Sequence, residues 1–211
     1  MTMTGLEFVH RFVPSPGGSN LTLLLLHGTG GDENDLIQIG RELAPKAALL
    51  SLRGRVLENG MPRFFRRFSE GVFDINDLTD QTHALVRFIL ESSRAYGFRA
   101  DGVVAVGYSN GANIAGSTLI LHPEALAGAI LVRPMVPFMP EVMPDLSRKP
   151  ILILAGGRDG IVPKSETERL EALLKGAGAA VVVQWADATH GITRSEVVVG
   201  REWLSGEFGN V

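Results

Sequence analysis

The segment from Val103 to Leu121, VVAVGYSNGANIAGSTLIL, constrains the fold more than any other part of the chain. Residues 103–106 are an apolar, β-branched run of the kind that forms a strand buried on both faces, and residues 112–121 carry apolar side chains at helical spacing. Between them, Gly107-Tyr108-Ser109-Asn110-Gly111 fits Gly-x-Ser-x-Gly, in which small neighbours allow a strained strand-to-helix turn to close. Such a turn lifts the Ser109 hydroxyl above the sheet edge, where the helix N-terminus favours an oxyanion. The pattern predicts Ser109 as a nucleophile, and the alternative is a plain glycine-rich turn.

Apolar runs and helical patterns alternate along the rest of the chain. The expected strands are residues 7–13, 21–26, 47–52, 127–132, 151–155 and 179–184, and the expected helices are 33–43, 78–96, 165–175 and 193–204. This alternation implies right-handed crossovers, and therefore an α/β fold with a mainly parallel central sheet of about seven strands and helices on both faces. No repeat and no shift in composition divides residues 1–211, so we expect a single domain.

The amino-acid composition excludes several classes of binding partner but does not indicate which reaction the chain catalyses. A formal net charge of −3 gives no reason to expect nucleic acid or an anionic membrane as a partner. The chain has no cysteine, which rules out disulfides, a thiolate nucleophile and cysteine-ligated metal. The N-terminal segment MTMTGLEFVHRF lacks a basic start before an apolar core, and no apolar run reaches the ~20 residues that cross a bilayer. We therefore expect no signal peptide, no membrane insertion and, by default, a cytoplasmic protein; a homodimer stays open.

Among the five histidines, His190 is the candidate general base. It follows the last predicted strand in Ala188-Thr189-His190-Gly191, at the carboxyl end, where open α/β sheets bind their ligands. The other four lie in an edge strand, in or at the end of helices, and in a glycine-rich loop, settings that favour a surface or structural role. They are His10, His83, His122 and His27.

Asp159 is the candidate partner of that histidine. It lies just beyond another predicted strand, in Gly156-Gly157-Arg158-Asp159-Gly160-Ile161-Val162-Pro163, although Asp-Gly also serves ordinary turns. Asp187 is a rival but is close to His190 in sequence, and Asp145 lies in a loop rich in proline and methionine. The order Ser109, Asp159, His190 is the one expected when the nucleophile sits on a strand-to-helix turn.

The loop Gly28-Thr29-Gly30-Gly31 follows a strand without matching a nucleotide-binding motif. A Walker A loop would end in Gly-Lys-Ser/Thr, and the dinucleotide fingerprint would need a third glycine where Glu33 stands. What remains is a tight loop whose backbone N–H groups point over the strand ends. No histidine pair or carboxylate cluster has metal-ligand spacing, so we expect neither a metal nor a cofactor.

Residues 53–76 are predicted as a long irregular loop that carries alternating charged and aromatic side chains. The sequence there places Arg63, Arg66 and Arg67 among Phe64, Phe65 and Phe68. A charge run of this kind favours a solvated face. The second interpretation is a loop folded over the site, with an arginine that meets an anionic group of the substrate.

The segment 133–150 is too short and too rich in proline to form a helical lid. Its Met135 and Phe138 are expected to form one wall of a substrate pocket, and Met61, Phe64 and Phe65 the opposite wall. A partly open cleft of this kind favours soluble substrates with short to medium acyl chains.

Four motifs, LLHGTGG, GYSNGAN, GGRDGIVP and ATHG, together resemble the α/β-hydrolase carboxylesterase, phospholipase and acyl-protein thioesterase family. The resemblance runs from about residue 21 to residue 204, and RGRVLENGMPRFFRR is similar to a bacterial branch of predicted carboxylesterases. It implies Ser109 as nucleophile, His190 as base and Asp159 as its orienting acid, with oxyanion donors at the backbone N–H groups of Asn110 and Thr29. Many relatives carry a large apolar residue at the position of Thr29, which alters the pocket wall but not a main-chain donor.

The resemblance implies hydrolysis of a small-molecule carboxylic ester through an acyl-enzyme, without a lid domain and without a cofactor. An acyl thioesterase or lysophospholipase-like activity is one alternative, and a non-catalytic ligand-binding domain of the same fold is another. A dienelactone hydrolase-like enzyme shares the fold, but its usual cysteine nucleophile is impossible in a chain without cysteine.

Overall fold

The computed structural model describes residues 7–209 of the 211-residue chain. Residues 1–6, part of the segment in which we expect no signal peptide, lie outside that range. The elements in chain order are β1 (His10–Val13), β2 (Thr22–Leu26), α1 (Ile37–Leu43), β3 (Ala48–Leu52), β4 (Val56–Glu58), β5 (Met61–Arg63), β6 (Arg67–Ser69), β7 (Val72–Phe73), α2 (Ile75–Tyr96), β8 (Val103–Tyr108), α3 (Asn110–Leu121), β9 (Gly128–Val132), β10 (Pro150–Gly156), α4 (Lys164–Gly176), β11 (Ala180–Ala186) and α5 (Arg194–Phe208).

Seven of the strands form one sheet in the order β1-β3-β2-β8-β9-β10-β11. Strand β1 pairs antiparallel with β3, and every other neighbouring pair in this sheet is parallel. The predicted mainly parallel sheet of about seven strands is confirmed. Its parallel strands all end on one side, so the loops that follow them meet along a single edge.

The strands place alternate side chains into two separate cores, because successive residues of a strand point to opposite faces. In β2, Leu24 and Leu26 join the core beneath α2, α3 and α4, whereas Leu23 and Leu25 join the core beneath α1 and α5. Both β2 and β3 are buried at every position, as a strand covered by helices on both faces should be. Helices therefore cover both faces, as predicted.

The segment predicted as one long irregular loop instead folds into two short hairpins, which corrects the sequence interpretation. Strands β4 and β5 pair across Asn59 and Gly60, both of which have positive φ (51° and 80°). An Asn-Gly pair at these angles forms the tight turn that joins antiparallel strands. Strands β6 and β7 also pair antiparallel, across Glu70 and Gly71, of which only Gly71 has a positive φ (72°). The Asn-Gly dipeptide was a usable hairpin signal, but strands of two or three residues are too short for a periodic pattern.

Between β9 and β10, residues 133–149 contain neither a helix nor a strand. This agrees with the expected absence of a lid domain, since four prolines interrupt the segment. Within residues 7–209, no helix is both long enough and apolar enough to cross a membrane.

Candidate active site

The turn between β8 and α3 holds Ser109 in a strained backbone conformation. Its φ is 52° and its ψ is −112°, a combination that costs a residue with a side chain about 1–3 kcal/mol. The Ser109 N–H donates to the Val132 carbonyl at 2.8 Å, which fixes the turn against β9. A Cβ atom on Gly107 would lie 2.5 Å from the Gly111 carbonyl oxygen, and one on Gly111 would overlap the Leu26 carbonyl. The predicted strand-turn-helix is present, and both of its glycines are required by close backbone approach.

A continuous hydrogen-bonded chain joins the three side chains that the sequence singled out. His190 Nε2 lies 3.0 Å from Ser109 Oγ, and His190 Nδ1 lies 2.8 Å from Asp159 Oδ2. Asp159 follows β10 and His190 follows β11, so the carboxyl ends of three parallel strands bring them together. A carboxylate at Nδ1 keeps the proton on that nitrogen and leaves Nε2 free to accept the serine proton.

The carboxylate of Asp159 is buried and remains ionised because its second oxygen is also satisfied. Its side chain is 1% exposed, and its Oδ1 accepts the N–H groups of Ile161 (2.8 Å) and Val162 (3.1 Å). Burial alone would raise the pKa of Asp159, but these two bonds and the contact with His190 outweigh it and lower the pKa. The rival Asp187 is 85% exposed and pairs with Arg158 at 2.5 Å. Asp145 accepts from Ser147 on the surface.

A fully buried arginine that the sequence did not single out holds the loop of His190. Arg133 Nε donates to the Thr189 carbonyl (3.0 Å), and its Nη2 donates to the Gly191 carbonyl (2.8 Å). The guanidinium therefore binds the main chain on both sides of His190. Glu196 of α5 binds the same guanidinium through both of its oxygens (2.5 and 3.0 Å). Both side chains are at most 1% exposed. Arg133 has a positive φ of 55°, which marks the sharp turn that aims its side chain inward.

The glycine-rich loop after β2 lies beside the same edge of the sheet. Within residues 7–209, the backbone N–H groups of Thr29 and Asn110 donate to no other group of the chain, which leaves them available as the oxyanion donors that the resemblance implies. A Cβ atom on Gly28 would lie 2.8 Å from the ring of Tyr108. The Gly30 N–H donates to the Pro62 carbonyl at 2.9 Å, which fastens the loop to the β4–β5 hairpin.

His27 braces that loop as a neutral imidazole. Its Nδ1 lies 2.6 Å from the Gly28 carbonyl, which can only accept, and its Nε2 accepts the Gly54 N–H at 2.9 Å. Burial lowers the pKa of His27 and outweighs the Gly28 carbonyl and the nearby Asp35, both of which favour the proton. The structure thus agrees with a bracing role. His83 and His122 bind each other at 2.7 Å, away from Ser109.

A cavity of about 210 Å³ opens at Ser109 and His190. Its lining differs from the predicted one, because most of it comes from charged and polar side chains. Besides Ser109 and His190, the lining residues are Thr29, Arg63, Arg67, Glu70, Phe73, Tyr108, Asn110, Asn113 and Ile161.

The five residues predicted to line the pocket lie around this cavity and are not part of its lining. Phe64 and Phe65 are fully buried in the core beneath α2 and α3. Met61 is 42% exposed on β5 and lies next to Gly30. Met135 and Phe138 line a second, more open depression of about 390 Å³ that shares Glu70 and Ile161 with the cavity. Apolar side chains serve a core and a pocket wall equally well, so sequence alone could not separate these roles.

The arginine cluster divides between the surface and the cavity. Arg66 is 63% exposed and pairs with Asp74 (3.3 Å) and Asp77 (3.6 Å), as a solvated face would. Arg63 and Arg67 both line the cavity, and the Arg63 side chain is only 3% exposed. The second interpretation of this segment, a loop folded over the site, therefore describes two of the three arginines. Within the described residues, no group of three histidine or acidic side chains could hold a metal ion.

Comparison with known proteins gives concordant matches. Residues 69–200 match the dienelactone hydrolase family. The chain is 50% identical over 193 residues to the Bacillus subtilis protein named "Putative hydrolase MhqD", covering 92% of this chain and 96% of that protein. A carboxylesterase from Bacillus cereus matches with 44% identity and a TM-score of 0.94, covering 97% of this chain and 96% of that one. A carboxylesterase from Mesorhizobium loti matches with 33% identity and a TM-score of 0.91, covering 97% of each chain. These matches confirm the predicted α/β-hydrolase fold.

Proposed function

Because the chain belongs to the dienelactone hydrolase family of α/β-hydrolases, we propose that it is a serine carboxylesterase that works through an acyl-enzyme. The observation that carries this proposal is the chain of hydrogen bonds from Ser109 through His190 to Asp159 at the mouth of a cavity. A serine replaces the cysteine usual in dienelactone hydrolases, and the neighbouring histidine supplies the base that a hydroxyl needs. In this proposal, residues 1–211 form a single catalytic domain that acts in the cytoplasm on a small-molecule ester.

The first half of the reaction transfers the acyl group to the enzyme. Ser109 Oγ attacks the ester carbonyl carbon while His190 Nε2 accepts the hydroxyl proton, and Asp159 stabilises the imidazolium that forms. The carbonyl oxygen becomes an oxyanion, which the N–H groups of Thr29 and Asn110 stabilise; one such donor contributes about 3 kcal/mol. His190 then protonates the departing alkoxide, the carbon–oxygen ester bond breaks, and the acyl group stays on Ser109.

The second half regenerates the enzyme. His190 accepts a proton from water, and the resulting hydroxide attacks the acyl-enzyme carbonyl. The second oxyanion occupies the same two donors, and its collapse releases the carboxylic acid while His190 returns the proton to Ser109. Every proton of the two half-reactions passes through this one nitrogen, His190 Nε2.

The cavity at Ser109 is small, and the adjoining depression of about 390 Å³ provides the further room next to it. A volume of about 210 Å³ is below the ~300–1,000 Å³ of pockets that hold drug-sized ligands. It therefore supports short to medium chains. A thioester fits the same geometry, so rates on an oxygen ester and on the thioester of the same acid decide between the two classes.

Active-site labelling tests the proposal. A fluorophosphonate probe should label the wild-type protein, and Ser109→Ala should abolish both labelling and hydrolysis of 4-nitrophenyl butyrate. Ser165→Ala, which removes an exposed hydroxyl from α4, is the matched control and should keep both. Absence of labelling in a folded wild-type protein would favour the non-catalytic, ligand-binding alternative.

A further inference from the structure

Arg133 is fully buried, and each of the five N–H donors of its side chain has an acceptor. Three donors bind main-chain carbonyls, at 3.0, 2.9 and 2.8 Å, and the other two bind the carboxylate of Glu196. The three carbonyls are those of Thr189, Leu154 and Gly191, in that order. Because the five donors of a guanidinium form a rigid planar fork, this complete set of acceptors fixes both the plane and the position of the group.

The end of β9 holds the nucleophile and the base through two adjacent residues. The Val132 carbonyl accepts the Ser109 N–H at 2.8 Å. The next residue, Arg133, binds the carbonyls on both sides of His190. Its own N–H donates to the Leu154 carbonyl of β10 at 2.9 Å, which fixes the strand end. The position of His190 relative to Ser109 is therefore determined through one short piece of backbone.

The same guanidinium lies against the acid of the triad. Arg133 Nε is 3.9 Å from Asp159 Oδ2, the oxygen that binds His190 Nδ1. A Cβ atom on Gly156 would lie 3.0 Å from Arg133 Nε and 2.5 Å from the Thr189 carbonyl oxygen. The end of β10, the guanidinium and the loop of His190 therefore pack directly on one another, and a change in the guanidinium is transmitted to the loop.

Arg133 can influence the reaction only through the groups that it holds. Its side chain is 0% exposed, and within residues 7–209 the lining of the cavity does not include it, so it touches no substrate. Its φ of 55° lies in the left-handed region, which residues with a side chain rarely adopt. Backbone strain of this kind persists where surrounding contacts impose it, and it is concentrated at active sites.

We propose that Arg133 is a positioning residue of the reaction, which holds the imidazole of His190 at hydrogen-bonding distance from Ser109 Oγ, while Glu196 holds the guanidinium. This inference rests on the proposed function, because it assigns a further residue to the same reaction. A displacement of about 1 Å at a reacting group can lower a rate by about a hundredfold. Since His190 Nε2 serves in both half-reactions, a displaced loop slows the formation and the hydrolysis of the acyl-enzyme alike.

Arg133→Lys separates the geometry of the guanidinium from its charge. Lysine keeps the positive charge, but its three donors leave a single nitrogen and cannot bind the carbonyls on both sides of His190 in one plane. We expect kcat on 4-nitrophenyl butyrate to fall by about 10- to 100-fold. KM should stay within about threefold of its wild-type value, because both half-reactions slow together and no contact in the cavity is lost.

Arg148→Lys is the matched control for this substitution. Arg148 lies in the same segment, 133–149, and also has a positive φ (60°), but its side chain is exposed. Its replacement should leave kcat and KM as they are in the wild type. Wild-type kcat in a folded Arg133→Lys protein would overturn the inference and leave the esterase proposal intact.

A double variant separates positioning from stability, and it keeps the question answerable if Arg133→Lys fails to fold. Arg133→Met leaves the Glu196 carboxylate buried without its cation, and Glu196→Gln in the same chain removes that charge while its amide oxygen can still accept the Thr193 N–H. The free energy of unfolding should recover in part. In contrast, kcat should stay at least about tenfold below the wild-type value, because no group binds the carbonyls beside His190. Recovery of kcat together with stability would give Arg133 a purely structural role and overturn the inference.

Proton NMR provides a measurement that does not depend on turnover. The Nδ1 proton of His190, in its 2.8 Å bond to Asp159, should give a low-field resonance in the wild type and in Ser109→Ala, and Asp159→Asn assigns that resonance by removing it. In Arg133→Lys and in the double variant the resonance should be lost or broadened by exchange with water, because the loop is no longer held. Arg148→Lys should keep it. An unchanged resonance in the folded Arg133 variants would show that the loop keeps its place without the guanidinium, and would overturn the inference.

Discussion

At the scale of single residues, the turn around Ser109 has two independent parts. The two flanking glycines allow the backbone to adopt its shape, and the Ser109 hydroxyl is the group proposed to react. The hydroxyl of Ser109 extends from a turn whose geometry is held by main-chain contacts, so removal of the hydroxyl leaves the turn in place. Gly107 and Gly111 carry no chemistry, but the turn cannot close around a Cβ atom at either position. Removal of the Ser109 hydroxyl should therefore abolish activity without loss of stability, whereas a methyl group at either glycine should reduce stability.

Gly111→Ala should destabilise the protein, because its methyl group would overlap the main-chain carbonyl of Leu26. Overpacking of this kind costs about 1–3 kcal/mol, and more where the obstacle is backbone. Gly206→Ala is the matched control, since a Cβ atom there meets nothing within 4 Å in α5 and should be neutral or slightly stabilising. Thermal unfolding of both variants and of Ser109→Ala checks this. Equal melting temperatures for the two glycine variants would contradict it.

Asp159→Asn should lower kcat by up to about four orders of magnitude, because the amide favours the wrong imidazole tautomer. Asp187→Asn, at an exposed side chain paired with Arg158, should have little effect. A larger loss from Asp187→Asn would show that the wrong acid has been assigned. Steady-state kinetics on one soluble ester decides this.

The same substitution changes the pH dependence of stability. Since the folded pKa of Asp159 lies below its unfolded value of about 3.9, the ionised carboxylate contributes stability above that pH and loses it as the pH falls through the folded value. The difference in free energy of unfolding between wild type and Asp159→Asn should therefore shrink below about pH 4. Urea unfolding across the acid range measures it.

At the scale of elements, the ion pair between Arg133 and Glu196 connects the end of β9 to the first turn of α5. Glu196 is also the N3 residue of a capping box with Thr193, so one carboxylate caps the helix and neutralises the arginine. Burial would raise the pKa of Glu196, but the bonds from Arg133 and Thr193 outweigh it and lower the pKa. The His190 loop is thereby held between two regular elements.

Arg133→Met should destabilise the protein by about 3–5 kcal/mol at pH 7, because it leaves Glu196 buried without its cation. In the variant only the Thr193 bonds still oppose burial, so the pKa of Glu196 is higher than in the wild type and protonation relieves the penalty. The loss should therefore be smaller near pH 4.5 than at pH 7. The double variant with Glu196→Gln should recover part of the loss at pH 7. Equal losses at both pH values in urea unfolding would argue against a buried charge as the cause.

The sequence predicted those features that local chemistry determines. Ser109, Asp159 and His190 each follow an apolar strand, and parallel strands end at one edge, so their proximity could be inferred. Arg133 could not be found in this way, since an arginine before a proline is typical of an exposed loop and its burial depends on Glu196 in a distant helix. Phe64 and Phe65 were assigned to the pocket because sequence gives their hydrophobicity but not their partners. The burial of Arg133 and the location of Phe64 and Phe65 in the core both depend on contacts with residues distant in sequence.

At the scale of the whole molecule, the sheet places the site at an edge that no separate lid covers within residues 7–209. The segment 133–149 has no helix, and the cavity opens between the two hairpins and the loop after β10. Lipases that are activated at interfaces need a mobile apolar cover, and neither the segment nor the polar lining of the cavity provides one.

Activity should therefore follow ordinary saturation, with no jump in rate when the substrate becomes micellar. Rates measured against concentration for 4-nitrophenyl butyrate and for a long-chain ester, across the solubility limit of the latter, test this expectation. A sharp increase at that limit would require a moving cover. The short ester, which stays dissolved throughout, serves as the control.

The bonds that Arg133 makes also set the order in which the site can be completed during synthesis. The guanidinium of Arg133 binds the carbonyls of Thr189 and Gly191 and the carboxylate of Glu196. These three groups follow Arg133 in the chain by 56, 58 and 63 residues. Contacts between such distant segments form late, because the intervening chain must first be ordered. A growing chain on the ribosome already contains Ser109, yet it stays without a positioned base until almost the last helix has emerged. The proposed site is therefore completed only after residues 189–196 have been synthesised and folded.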